Sequence, residues 1–365
     1  MQYFFKTGKN YPYLRLFIER IRMKLAFFDT KPYDRLFFET LCAENGIAVK
    51  FYEAKLNADT AGLAAGCGAV CAFVNDTLDA QVIDRLAQAG VQLIALRCAG
   101  YNHVDIRHAF GKIHVVHVPG YSPYSVAEHA MALLLTSIRR THKAYNRTRD
   151  FNFSLSGLMG FDLHGKTMGI VGTGRIGRAF MEICRGFGME LAAYDKFPDK
   201  DGGISYVPLD TLFAESDVIS LHCPLTAETY HMIDAGAIEK MKTGAVLINT
   251  SRGALIDADA LLAGIKARKI GAACLDVYEE ESNIFFEDFS GHIMSDDVLA
   301  RLISMPNVIV TSHQAFLTEE ALRDIAETTV SNITAFFRHG SCANELCYHC
   351  GKVSSCRTHR LEKCF

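Results

Sequence analysis

Gly169-Ile-Val-Gly172-Thr-Gly174-Arg-Ile-Gly177 stands near the middle of the chain, and what flanks it decides its reading. A short apolar strand, Thr167 to Val171, runs into Gly-x-Gly-x-x-Gly, and a helix-like run from Arg178 to Phe187 follows. A second apolar strand, Met189 to Tyr194, closes on Asp195, eighteen residues past Gly177. The three glycines have separate tasks: a tight turn, close backbone approach to a pyrophosphate, and close helix–strand packing. The helix N-terminus offers unpaired N–H groups and a positive dipole end to phosphate. Asp195 is placed to accept hydrogen bonds from an adenosine ribose, where it would oppose the 2′-phosphate of NADPH. The glycine pattern alone is a weak signal. With strand, helix, second strand and acid in order it predicts a dinucleotide site, with NAD as the cofactor. About 170 residues precede it, so another domain begins before this one.

The 365 residues suffice for two domains with real cores. At 49% hydrophobic, 22% charged and a net charge of −3, the chain has the balance of a soluble globular protein. Nothing basic enough for nucleic acid stands out, and no apolar run has the length of a membrane span. Residues 1–22 mix Phe, Tyr, Lys and Arg without an apolar h-region, so they read as an appendage rather than a secretory signal. Twelve cysteines are scattered. Cys71, Cys98, Cys184, Cys223 and Cys274 fall in apolar patterns, as small buried hydrophobes of a reduced, cytoplasmic protein would.

From Met23 to Val118, strand-like runs (24–28, 69–74, 91–96 and 114–118) alternate with helical spacing over 33–44 and 79–89. Such alternation implies βα units and a parallel sheet. Pro119-Gly-Tyr-Ser-Pro123 breaks the pattern, and Ser125 with Glu128 reads as a capping box opening a helix through Ile138. Strands are then expected at 167–171, 189–194, 218–221, 245–249, 272–275 and 308–311, the count of a complete dinucleotide-binding unit. A long helix over 319–338 could return to the first domain. The expectation is an α/β protein of two Rossmann-like parallel-sheet domains. It divides as an appendage (1–22), a discontinuous first domain (23–122 and 316–346), an inserted NAD-binding domain (123–315) and a flexible Cys-rich tail (347–365).

Ligands of such sheets bind beyond the carboxyl ends of the strands. Three segments qualify: Thr250-Ser251-Arg252-Gly253, Asp276-Val-Tyr-Glu279-Glu280-Glu281, and Ser312-His313-Gln314-Ala315-Phe316. An arginine, a carboxylate and a histidine beside a nicotinamide make a coherent set. Arg252 can grip a carboxylate bidentately and polarise an adjacent carbonyl. His313 can give or take the proton that balances a hydride. A glutamate paired with it, Glu281 for instance, favours the imidazolium. Singly, each has a plainer explanation: a surface arginine, a structural histidine, a solvated acidic turn.

In the order of these segments the chain resembles the D-isomer-specific 2-hydroxyacid dehydrogenases, from Met23 to about Leu346. The strings Arg97-Cys-Ala-Gly-Tyr-Asn102, Tyr145-Asn-Arg-Thr-Arg-Asp150 and Phe285-Phe-Glu-Asp288 are most similar to the fermentative, D-lactate-forming members. The resemblance implies reversible hydride transfer between NADH and pyruvate. It implies Arg252 for the substrate carboxylate, Glu281 as the histidine's partner and His313 as acid/base. It also implies substrate contacts at Phe73, Ala99, Gly100, Tyr121 and Phe316, and a cleft that closes by hinge motion. For the cofactor it implies Gly172, Gly174, Arg175, Ile176, Gly177, Asp195, Cys223, Pro224, Thr229, Thr250, Ser251 and Asp276. No metal is implied, the first domain (23–122 and 316–346) is implied to be the substrate domain, and a homo-oligomer, dimer or tetramer, is expected.

The tail Cys347-Tyr-His349-Cys350 with Cys356, His359 and Cys364 has one Cys-x-x-Cys followed by irregular spacing, a poor zinc pattern. Two rival functions remain open at this level. One is the same chemistry on glyoxylate, hydroxypyruvate or phenylpyruvate, since sequence reads pocket shape badly. The other is a non-enzymatic, NAD-sensing corepressor, which would not need the Arg252, Glu281 and His313 set. An L-lactate dehydrogenase fails on layout, because there the nucleotide fingerprint would open the chain.

Overall fold

Apolar runs separated by helical spacing produce strands that pair only in parallel, and the computed structural model, which describes residues 23–199, 203–280 and 284–348, contains two such sheets. The described residues form two compact units. One holds the chain up to Tyr121 and again from Leu322; the other holds Ser122–Ala321.

The first unit has five strands, β1 (Met23–Phe27), β2 (Ile47–Phe51), β3 (Ala69–Ala72), β4 (Leu93–Leu96) and β5 (His114–Val116), in the order β2-β1-β3-β4-β5. The sequence reading missed β2. It is an edge strand in which only Ile47 is buried, so it lacks the apolar run that marks the others. Helices α1 (Pro32–Glu44), α2 (Ala80–Gln88) and α3 (Ile106–Ala109) connect the strands. Pro32 opens α1, and Asp79 and Asp105 cap α2 and α3 by accepting from Val82 N and His108 N. Residues past 341 return to the sheet: Leu346 N donates to Val115 O at 2.9 Å, and Val115 N donates to the Tyr348 hydroxyl at 2.8 Å. Cys347 and Tyr348 are therefore buried parts of the fold, a correction to a tail that was expected to begin at 347. His349, Cys350, Cys356, His359 and Cys364 lie outside the described residues.

The second unit opens with α4 (Pro123–Arg139) and α5 (Thr141–Arg149). Ser122, not Ser125, stands at the N-cap of α4. Pro123 takes the first helical position, which pushes Ser125 inside the helix, where its hydroxyl meets Thr318 Oγ1 at 2.7 Å. Six strands follow: β6 (Thr167–Val171), β7 (Glu190–Tyr194), β8 (Val218–Leu221), β9 (Ala245–Asn249), β10 (Ile270–Leu275) and β11 (Val308–Val310). They pair in the order β11-β10-β9-β8-β6-β7. Alternate residues feed opposite faces. Met168, Ile170, Val246, Ile248, Ala272 and Cys274 join a core with α4 and α6 (Arg175–Gly186). Val171, Leu247, Ala273 and Leu275 join another, beneath α7 (Leu209–Glu215), α8 (Ala235–Lys240), α9 (Ala258–Lys266) and α10 (Asp297–Ser304). Both faces of the sheet are covered, which is why its strands read as continuous apolar runs. The last helix, α11 (Glu319–His339), starts in this unit and from Leu322 belongs to the first; the expected return was at 316.

Candidate active site

Strand order reverses between β6 and β8, with β7 to one side and β9, β10 and β11 to the other. A crevice for ligand opens at such a switch point, outside the carboxyl ends of the strands. Gly172 and His222 stand there. Gly172 holds φ +97°, and a Cβ on it would strike the His222 carbonyl at 2.6 Å. A Cβ on Gly177 would overlap the Gly172 carbonyl, whereas one on Gly174 would meet nothing within 4 Å. Gly172 and Gly177 thus serve packing, and Gly174 leaves open space at the start of α6. That helix begins at Arg175, three residues before the expected run, so Gly177 falls in its first turn. No side chain caps it. Open space before uncapped N–H groups fits a pyrophosphate.

Asp195 leaves β7 with both oxygens engaged: Oδ2 accepts from Thr173 N at 2.7 Å and Thr173 Oγ1 at 3.0 Å, and Oδ1 from Phe197 N at 2.8 Å. Arg175 is exposed and Ile176 half-buried in the first turn of α6. Across the switch point Cys223 is half-buried rather than buried as expected, and Pro224 is exposed. Thr229 Oγ1 is taken up locally, donating to Pro224 O at 2.7 Å. Thr250, at the end of β9, is buried, and its hydroxyl has no hydrogen-bond partner among the described residues, as suits a group waiting for a ligand. Burial pushes the His222 imidazole down to about 4, so it stands neutral beside the glycine turn.

Beyond β9 the Arg252 turn is tied locally. Ser251 N donates to Asn249 Oδ1 at 3.0 Å, Asn249 Nδ2 to Arg252 O at 2.8 Å, and Ser251 Oγ to Leu221 O at 2.9 Å. The half-buried guanidinium donates from Nη1 to Ser251 O at 2.6 Å. That is its one hydrogen bond among the described residues, which leaves most of its planar fork for an anion.

Beyond β11 stands His313, half-buried, at φ +52°. A non-glycine residue keeps this conformation only where its surroundings impose it. Asp276 does so. Its carbonyl accepts from His313 N at 2.7 Å, and its carboxylate from Thr311 Oγ1 at 2.6 Å, Gln314 N at 2.9 Å and Ala315 N at 2.8 Å. His129 Nε2 approaches the same carboxylate at 3.2 Å. Burial alone would raise the Asp276 carboxyl, but the hydrogen bonds from His129 and Thr311 hold it below the usual carboxylate range. Asp276, expected at the cofactor, is fully buried and wraps the loop that carries His313. Of the three glutamates, Glu279 meets His231 Nε2 at 2.5 Å, Glu280 is exposed, and Glu281 lies outside the described residues.

The residues expected to meet substrate divide between the units. Arg252, His313 and the buried Phe316 are in the second; Phe73, Ala99, Gly100 and Tyr121 are in the first. Phe73 follows β3 and stacks on the guanidinium of the buried Arg97, which also covers Phe27, each ring centre 4.6 Å away. Arg97 donates to Asp29 O at 2.7 Å and lies 3.4 Å from Asp34. Ala99 and Gly100 follow β4, their carbonyls paired with His117 Nδ1 at 2.9 Å and Cys98 Sγ at 3.2 Å. The sequence reading missed Thr173, His129, His231 and Arg97 as organising groups. Only Thr173, inside the glycine fingerprint, carried a local signal.

The model of the D-isomer specific 2-hydroxyacid dehydrogenase NAD-binding domain matches residues 131–315. The chain is 50% identical to the D-lactate dehydrogenase of Escherichia coli (strain K12), over 89% of this chain and 100% of that protein. The apo-structure of D-lactate dehydrogenase from Escherichia coli superposes with a TM-score of 0.81 at 47% identity, covering 89% of this chain and 100% of that one. D-lactate dehydrogenase from Aquifex aeolicus, solved in complex with NAD and lactic acid, gives 0.76 at 34% identity, covering 86% and 95%.

Proposed function

The chain belongs to the D-isomer specific 2-hydroxyacid dehydrogenases, and from that premise we propose that it is an NAD-dependent D-lactate dehydrogenase whose acting groups are Arg252, Glu281 and His313. The observation that carries the site assignment is that Arg252 and His313 stand past the carboxyl ends of β9 and β11, in the unit whose glycine turn fits a pyrophosphate. When bound, NAD supplies or takes up the hydride. The protein's own residues do the rest. Arg252 holds the substrate carboxylate in its guanidinium fork and draws charge from the adjacent carbonyl. His313 gives its proton to the carbonyl oxygen during reduction and recovers it during oxidation. That Glu279 is engaged by His231 and Glu280 is exposed supports Glu281 as the carboxylate that partners His313. NADH oxidation followed against pyruvate, glyoxylate, hydroxypyruvate and phenylpyruvate should give the highest kcat/KM with pyruvate, and D-lactate as product. Preference for another 2-oxo acid would overturn the substrate assignment but leave the reaction class standing.

The assembly we propose is a homo-oligomer. Tyr145, Phe151, Phe153, Leu155, Met159 and Phe161 are 61, 85, 72, 81, 88 and 39% exposed within seventeen consecutive residues, a patch too apolar for a lone surface segment. Sedimentation should find a dimer or larger, and Phe151→Ser with Leu155→Ser should dissociate it; a wild-type monomer would sink the idea. No described helix is long and apolar enough to cross a membrane. The buried thiols of Cys42, Cys71, Cys184 and Cys274, none of them in a disulfide, support residence in the reducing cytoplasm.

A further inference from the structure

His231 and Glu279 are forty-eight residues apart in the chain, yet Nε2 and Oε1 stand 2.5 Å apart, with side chains 27% and 23% exposed. Neither belongs to the chemistry assigned above. The pair is half-buried and serves no step of that chemistry, so its value is sought in what it joins.

His231 sits at φ +49°, a conformation that its neighbours must enforce. Its N–H donates to Ala254 O at 2.9 Å, two residues past Arg252. From there the segment is laced onward, Ile233 N to Leu255 O at 3.0 Å and Asp257 N to Ile233 O at 3.1 Å. Glu279 lies in the turn after β10, and that turn presses on the residue after Arg252: a Cβ on Gly253 would overlap the carbonyl of Tyr278 and the amide of Glu279. Three links therefore enclose the Arg252 turn: the backbone bond from His231 to Ala254, the backbone contact of Gly253 with Tyr278 and Glu279, and the side-chain bond from Glu279 to His231.

We propose that His231 and Glu279 are positioning residues for Arg252, closing a brace that fixes where its guanidinium stands when the substrate carboxylate arrives. The inference rests on Arg252 as the carboxylate-binding group. Without the brace the turn keeps its fold, because Asn249 and Ser251 tie it from the other side. The turn would then shift by fractions of an ångström, and a small misplacement of an orienting group is costly in catalysis.

The test is steady-state kinetics of the full-length chain with H231Q, E279Q, the H231Q/E279Q double variant, R252K and H231Q/R252K, alongside NADH affinity by fluorescence titration. H231Q and E279Q are each expected to lower kcat/KM for pyruvate about tenfold, mostly through KM, with NADH affinity within twofold of wild type. The H231Q/E279Q variant should be no worse than either single change, and H231Q should cost R252K less than twofold, because the brace acts through the arginine. If H231Q and E279Q match wild type while R252K is crippled, the brace is overturned and the reading of Arg252 stands. If R252K is near normal, that reading falls and the brace with it. A full tenfold loss when H231Q is added to R252K would mark a general structural defect and overturn positioning. Should H231Q not fold, E279Q, which keeps the size of the side chain but removes the charge that binds His231, decides the question.

Discussion

At the scale of single residues the chemistry depends on groups whose partners determine what they can do. Arg252 keeps most of its donors available because its carbonyl and its neighbours, not its guanidinium, hold the turn. Arg252→Lys retains charge but loses the planar fork, so kcat/KM for pyruvate should fall about a hundredfold, roughly 3 kcal/mol. A near-normal variant would show the carboxylate to be held elsewhere. Asp195 is fixed by Thr173 and Phe197 and cannot swing away from an added 2′-phosphate. Lys196, which could soften the repulsion, reaches Glu228 at 3.2 Å instead. NADH should be clearly preferred to NADPH, and Asp195→Ala should narrow the ratio; equal kcat/KM with both cofactors in the unaltered protein would refute this. The places of Arg252, His313 and Asp195 in the fold were legible because each follows a strand end that the apolar pattern announced. Asp276 and His231 were not, because their roles consist of contacts thirty-five and forty-eight residues away.

At the scale of elements the glycine turn and α6 separate packing from ligand binding. Gly174→Ala adds a methyl group to open space, so thermal stability should hold while NADH binding weakens at least tenfold. Gly177→Ala drives the same methyl into the Gly172 carbonyl, so it should lower stability by about 1–3 kcal/mol. Calorimetry and fluorescence titration on both variants check the pair; equal stability, or NADH binding unmoved by Gly174→Ala, would contradict the division of labour. The separate tasks of the three glycines could be read from sequence, but not the His222 and Gly172 carbonyls that exclude a Cβ at Gly172 and Gly177. The misplaced N-cap of α4 has a similar cause: Ser125 with Glu128 has the spelling of a capping box, and Pro123 two residues earlier starts the helix first.

At the scale of the whole molecule the two units should answer acid with opposite sign. Burial, against the pull of Arg97 and of the Phe73 and Leu56 amides, pushes the Asp76 carboxyl up to about 6 in the first unit. The native form then binds the proton more readily than the unfolded chain, so this group's contribution rises as pH falls through 6. In the second unit His222 is pushed down to about 4, so the unfolded chain binds the proton more readily; its contribution, whole above about 6.5, is lost as pH falls toward 4. Asp276, held low, acts in the same direction at more acid pH. Native-state amide exchange, corrected for intrinsic rates, should show protection in β3 kept or raised between pH 7 and 5 while protection in β6 and β8 drops. Parallel loss in both units would count against it. Two parallel-sheet units, the inserted dinucleotide fold and the strand ends that bear Arg252 and His313 were set by the sequence itself, because apolar periodicity and glycine spacing are local properties of the chain. The edge strand β2, the buried Arg97 between two phenylalanine rings, the Asp276 wrap around His313 and the His231–Glu279 bond were decided only by tertiary structure. A polar group's partner is chosen by which distant segments packing brings within 3 Å, and no local pattern of residues records that distance.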